Sequence, residues 1–84
     1  MVGLWRMIKS EDIEGNFKEV PSHWLESLYE IESLQVGLPA ILKYDDDLTK
    51  VLVTTTVDDY FYYDDYENLA IVTKNSMYSF EKAK

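Results

Sequence analysis

No cysteine occurs in the 84 residues. Disulfides and thiolate metal sites are therefore excluded, a composition that suits a reducing compartment. Glycine numbers three, and neither a G-x-G-x-x-G nor a Walker pattern is present, so the usual phosphate cradles are missing. Bases are scarce as well: eight Lys and Arg stand against sixteen Asp and Glu, for a net charge of −8. A chain this acidic lacks the phosphate-neutralising term that dominates binding to DNA or RNA, so no direct nucleic-acid contact is expected. No stretch approaches the roughly 20 apolar residues of a membrane span. The opening "MVGLWRMIKSED" has neither the basic start nor the apolar run of a secretory signal. The expectation is a soluble cytoplasmic protein without membrane contact.

What is present is 46% apolar and 14% aromatic residues, enough for one modest core in a single domain spanning 1–84. Residues 3–9, "GLWRMIK", predict a short strand with Leu4, Arg6 and Ile8 on one face and Trp5 and Met7 on the other. Residues 10–20 are charged and predict a loop. Pro21 and Ser22 predict a helix start, with Ser22 as N-cap. Trp24, Leu28, Ile31 and Gln35, with Leu25 beside them, form an amphipathic stripe that predicts a helix from about Ser22 to Leu34. Gly37 and Pro39 would stop it.

From Leu38 the period becomes two. "LPAILKY" places Leu38, Ala40, Leu42 and Tyr44 on one side, "DDDLT" reads as an Asp-rich turn, and "KVLVTTTV" as the strongest strand. "DYFYY" continues that strand after a bend at Asp58-Asp59. "DDYEN" is a second acidic turn, "LAIVT" a strand, "KNS" a tight turn, "MYSF" a final strand and "EKAK" a frayed tail. The fold class expected is α+β: one amphipathic helix packed on an antiparallel β-meander or small open barrel of four to six strands. In that arrangement Trp24, Leu28 and Ile31 pack on Val51, Val53, Ile71 and Tyr78.

Thr54, Thr55 and Val57, followed by Thr73, Asn75, Ser76 and Tyr78, make a Thr-rich strand ending in Val and then a T-x-N-S-x-Y hairpin. This pattern resembles small uncharacterised bacterial and phage β-meander domains. The resemblance covers about half the chain, implies a meander and carries no activity. The acidic insert "DDYFYYDDYEN" lies outside it.

Chemistry is thinly supplied. Acid–base work wants a histidine or a tuned carboxylate, and covalent work a nucleophile beside a base. His23, the one histidine, reads as a solvated residue of the helix start, with Ser22 more useful as a cap than as a nucleophile. Asp45-Asp46-Asp47 lack the alternate-position ligands, glycine and terminal glutamate of a calcium loop. No catalytic residue, cofactor or metal is expected, and the protein is not expected to be an enzyme.

Charge is the informative feature. Between Tyr44 and Asn68 lie Asp45, Asp46, Asp47, Asp58, Asp59, Asp64, Asp65 and Glu67 against Lys50 alone, a balance of −7 in 25 residues. The same window holds five of the seven tyrosines: Tyr44, Tyr60, Tyr62, Tyr63 and Tyr66. Clustered like charge repels itself and costs stability. A plain turn needs one or two aspartates. If the two acidic turns gather at one end of the sheet, they make an acidic rim with tyrosines between carboxylates. Acids steer a basic partner, and tyrosine supplies contact area at low entropic cost. The partner-binding set is then Asp45, Asp46, Asp47, Asp58, Asp59, Tyr60, Tyr62, Asp64, Asp65, Tyr66 and Glu67. Strand alternation leaves open whether Tyr60 and Tyr62, or Phe61 and Tyr63, face the core.

The function expected is a non-enzymatic acidic protein of inhibitor or immunity type, of the kind phages encode. It would act as a nucleic-acid mimic on the basic, nucleic-acid-binding surface of a partner protein. The alternative is a small accessory domain that self-associates as a homodimer through a sheet edge, with apolar contact through residues such as Trp5 and Trp24 and the acids serving solubility.

Overall fold

A computed structural model describes residues 3–83, apart from the side chain of Leu48. Its elements are β1 (Trp5–Asp12), α1 (Ser22–Glu26), β2 (Leu28–Ser33), β3 (Pro39–Tyr44), β4 (Asp47–Tyr63), β5 (Asn68–Thr73) and β6 (Ser76–Lys82). Each strand pairs antiparallel with the next, and β6 returns to β1, so the meander closes into a six-stranded barrel. The α+β expectation is thereby overturned: this is an all-β barrel with one five-residue helix.

The missing helix has a physical reason. Tyr29 and Ile31 are buried while Glu30 and Glu32 are exposed, which is a period of two. Leu28 and Ile31 also suit a helical stripe, so two periods share the same residues. Pairing on both sides decides between them: Tyr29 is held opposite Trp5 on β1 and Tyr44 on β3. Tertiary pairing overrides a local pattern this short. Ser22 is the first helical residue rather than the cap; Pro21 takes the N-cap position, with no side-chain bond to the first turn. Gly37 does sit at a stop, but of a turn between two strands, where its φ of 92° suits glycine.

The core comprises Trp5, Met7, Tyr29, Ile31, Ala40, Leu42, Tyr44, Leu52, Val57, Leu69, Ile71 and Phe80. Tyr29 meets Phe80 edge-on at 6.2 Å and Tyr44 at 5.1 Å, and its hydroxyl donates to the Trp24 carbonyl at 2.7 Å. That bond ties α1 to the short β1–β2 seam, which consists of Trp5↔Tyr29 and Arg6↔Leu28. Trp24 packs on Tyr78 as expected, and Ile71 is buried. Val51 and Val53 are not core: both are exposed and Leu52 points inward instead. Nor is the C-terminus frayed through "EKAK", since Glu81 and Lys82 pair with β1.

β4 organises the molecule. Seventeen residues in a straight strand would span about 55 Å, whereas the longest dimension of the protein is 32 Å. The strand must therefore bend. It does so where it changes partners, from β3 up to Thr56 to β5 from Val57 onward. One irregularity faces Pro39–Ile41 and another falls between Val57 and Asp59, at the predicted bend.

Candidate binding surface

The acidic residues are placed by β4 and its two flanking turns. Asp45 and Asp46 form the β3–β4 turn, and Asp47 opens β4 opposite Tyr44. Asp64 to Glu67 form the β4–β5 turn. These turns are consecutive in a meander, so they lie at opposite ends of β4. The single acidic rim is not formed. The acids divide into two groups.

The first group surrounds α1. His23, Ser27, Tyr44, Asp46, Asp47, Lys50 and Val51 line an open concavity of about 480 Å³. Asp47 is locally employed: its Oδ1 accepts from the Thr49 amide at 3.0 Å and from the Thr49 hydroxyl. Those bonds, with Lys50 a lesser influence, hold its carboxyl below the usual range. The His23 ring lies 6.1 Å from that of Tyr44. Ser27 donates its hydroxyl to the His23 carbonyl at 2.7 Å, closing the helix end rather than meeting the imidazole.

The second group runs along the far half of β4. Asp59, Phe61 and Tyr63 alternate outward, with the Phe61 and Tyr63 rings 6.1 Å apart and tilted by 46°. Asp58 sits exposed at the irregularity, near Lys74 and Thr73. The turn follows with Asp64, Asp65, Tyr66 and Glu67, all exposed. About 17 Å of extended chain separates Asp59 from Asp64. Asp64, Asp65 and Tyr66 have φ of 53°, 55° and 65°, with the Glu67 amide bonded to the Asp64 carbonyl at 3.0 Å. Three consecutive non-glycine residues in the left-handed region are a costly way to turn.

Among the described residues the ion pairs are Arg6–Glu81, Lys9–Glu11, Lys43–Glu32 and Lys50–Asp47. None involves Asp58, Asp59, Asp64, Asp65 or Glu67. Asp59 Oδ1 accepts from the Tyr60 amide and Asp64 Oδ2 from the Asn68 side chain. Among the described residues no ion pair neutralises these five carboxylates.

Tyr60 and Tyr62 stand on the opposite, inner side of β4. They are half-buried and, with Ile31, Glu32 and Leu34, line a cleft of about 360 Å³. Their rings are perpendicular at 6.4 Å; Tyr62 also meets Trp5 at 5.9 Å and Tyr66 at 5.4 Å. Burial, with Tyr60 a lesser cause, raises the Tyr62 phenol above its ordinary range. Phe61 and Tyr63, absent from the expected partner-binding set, are thus the aromatics of the outer ridge. Alternation allowed either pair; the one-residue irregularity at Asp58 chose.

Trp5 is buried and so offers no self-association contact, while Trp24 is half-buried against Tyr78. Among the described residues no three His, Cys, Asp or Glu side chains converge as metal ligands. No described helix is long and apolar enough to cross a membrane. Compared with family models, characterised proteins and solved structures, the chain matches none.

Proposed function

We propose that the protein is a non-enzymatic, cytoplasmic binding module of inhibitor or immunity type, which covers the basic, nucleic-acid-binding face of a partner protein. The observation that carries this reading is the ridge from Asp58 to Glu67: five carboxylates without a cationic partner among the described residues, interleaved with exposed Phe61, Tyr63 and Tyr66. Solvated carboxylates speed encounter with a basic surface, and the flat rings supply contact once the partner has docked. The acids at the other end of β4 contribute to long-range steering, since Asp45 and Asp46 also stand in solvent.

The test is capture from a lysate on the immobilised protein, with and without nuclease. A nucleic-acid-binding protein retained after nuclease treatment, and released by moderate salt, supports the reading. Equal capture by the Asp58, Asp59, Asp64, Asp65→Asn variant refutes it.

A second reading rests on a separate observation. Among the described residues, β4 before Val57 pairs on one side only, with β3, and Val51 and Val53 are exposed beside that edge. A second copy adding there would make a homodimer through backbone pairing. Light scattering distinguishes the two: such a dimer persists in high salt, whereas a charge-driven complex dissociates.

A further inference from the structure

The inner tyrosines are not absorbed by the ridge. Their cleft lies between the end of β2 and the second half of β4, and Glu32 is the one charged residue in its lining. The perpendicular setting of Tyr60 and Tyr62 creates a corner, so a group entering it meets the face of at least one ring. Ring faces carry negative potential and attract cations. Ile31 and Leu34 give the corner an apolar wall suited to the methylene stem of a long side chain. Tyr66, exposed and with its ring tilted against that of Tyr62 at 5.4 Å, extends the aromatic surface to the turn. Glu32 is paired with Lys43 of the neighbouring strand; the lysine Nζ stands 3.0 Å from its Oε2, so an incoming cation shares the carboxylate with Lys43 or displaces it. The volume falls at the small end of the range for ligand pockets, fitting a side chain rather than a large molecule.

We propose that this cleft receives the ammonium or guanidinium end of one lysine or arginine side chain from the partner's basic face, against the rings of Tyr60 and Tyr62 and beside the Glu32 carboxylate. This rests on the acidic-module reading for the source of the cation, and it adds a defined socket to a diffuse charged ridge. The net charge of −8 favours the approach of any such cation.

The test is an NMR titration of isotope-labelled protein with acetyl-Gly-Lys-Gly-amide, and with the same tripeptide carrying norleucine in place of lysine. The lysine peptide should shift the Ile31 and Leu34 methyls and the Tyr60 and Tyr62 rings saturably; the norleucine peptide should not at equal concentration. Tyr60→Leu should weaken binding by about threefold or more, while Tyr60→Phe, which keeps the ring, stays within about twofold. Glu32→Gln, at an exposed position, should weaken it by a similar factor without disturbing the amide spectrum, and so serves where Tyr60→Leu does not fold. Equal response to both peptides makes the cleft merely apolar and overturns the proposal, as does the absence of saturable shifts. Lysine-dependent shifts confined to Asp58, Asp59, Asp64, Asp65 and Glu67, with the Tyr60 and Tyr62 rings and the Ile31 and Leu34 methyls unmoved, overturn the socket while leaving the acidic ridge standing. Saturable filling of the cleft with no partner captured from lysate does the reverse: it upholds the socket's chemistry and sinks the module reading.

Discussion

The two halves of β4 are one continuous strand with opposite characters. The first, up to Thr56, is β-branched and pairs with β3; its outward residues include Val51 and Val53. The second, from Val57, is aromatic and acidic and pairs with β5. Both obey alternation, yet alternation alone names the inner face of neither. In the first half both faces are apolar, Leu52 against Val51 and Val53. In the second both carry aromatics. The difference between inside and outside is set by register. Continued without interruption from Tyr44↔Asp47, a plain hairpin would place Ala40 opposite Val51, and the valines inside. The irregularity after Tyr44 instead sets Leu42 opposite Leu52. Leu52 and Val57, five residues apart, are both buried, so the irregularity facing Pro39–Ile41 reverses the faces once; the extra residue at Asp58 reverses them back, so that Tyr60 opposes Ile71 and Tyr62 opposes Leu69. A slip of one residue flips every side chain that follows.

The sharpest way to break this comparison is to truncate both candidates in the first half. Leu52→Ala should lower stability by about 2–5 kcal/mol, because it empties a buried site. Val53→Ala should cost less than about 1 kcal/mol, because its side chain already meets water. Chemical denaturation midpoints decide it. Equal costs would mean that the strand does not hold the register described.

A second test uses pH. The phenols of Tyr29 and, in the second half of β4, Tyr62 are both raised above the ordinary range, burial being the main cause. A raised acid favours its neutral form in the folded state. Their contribution is therefore whole below the unfolded tyrosine value near 10 and is lost as pH climbs beyond it. Stability should fall above about pH 10. Tyr29→Phe should flatten that fall and, by removing the donor to the Trp24 carbonyl, cost about 0.5–1.5 kcal/mol at neutral pH. An unchanged alkaline arm in both Tyr29→Phe and Tyr62→Phe would show that neither phenol is buried enough to matter.

How much of this was legible follows from the same register argument. The turns, the bend at Asp58-Asp59 and the strands after Leu38 could be read because Asp clusters and β-branched runs act locally. Of the side read as Leu38, Ala40, Leu42 and Tyr44, the last three do face inward from β3, while Leu38 lies before the strand and is exposed. What could not be read was non-local. β2 looked helical because Trp24, Leu28 and Ile31 fall at helical spacing, and only its two strand neighbours make Tyr29 and Ile31 a strand face. The single acidic rim failed because β4 runs unbroken between the turns. The inner cleft failed because nothing in "DYFYY" says which tyrosines a bulge turns inward.

The two ends of β4 offer a smaller contrast. Among the described residues, the Asp45-Asp46 turn has no positive φ, while the far turn has three. Asp65→Gly should relieve strain and raise stability by up to about 1 kcal/mol. Tyr66→Gly gains similarly but loses the ring tilted against Tyr62, a contact of about 0.5–1.5 kcal/mol, so its net effect should be near zero. Tyr66→Val, β-branched at positive φ and without the ring, should be the worst of the three. The opposite order in thermal melts would place the turn outside the left-handed region.

The smallest expected effect on the fold concerns the charges themselves. Asp58, Asp59, Asp64 and Asp65 changed together to Asn keep a carbonyl oxygen at each site. The bonds from the Tyr60 amide to Asp59 and from Asn68 to Asp64 can therefore persist. What disappears is repulsion among unpaired carboxylates. Stability should stay within about 0.5 kcal/mol of the parent, on the favourable side at low salt. The parent should gain stability between 10 mM and 1 M salt, because the screening length shrinks from about 30 to about 3 Å; the variant should respond less. A matching experiment at the other end, Asp45 and Asp46→Asn, should remove a smaller part of the salt response, since two charges go rather than four. If the parent shows no salt response, the ridge is not held against its own repulsion. If the quadruple variant loses more than about 1 kcal/mol, the carboxylates make structural bonds that an amide cannot replace, and the far half of β4 becomes a structural feature rather than a surface kept for a partner.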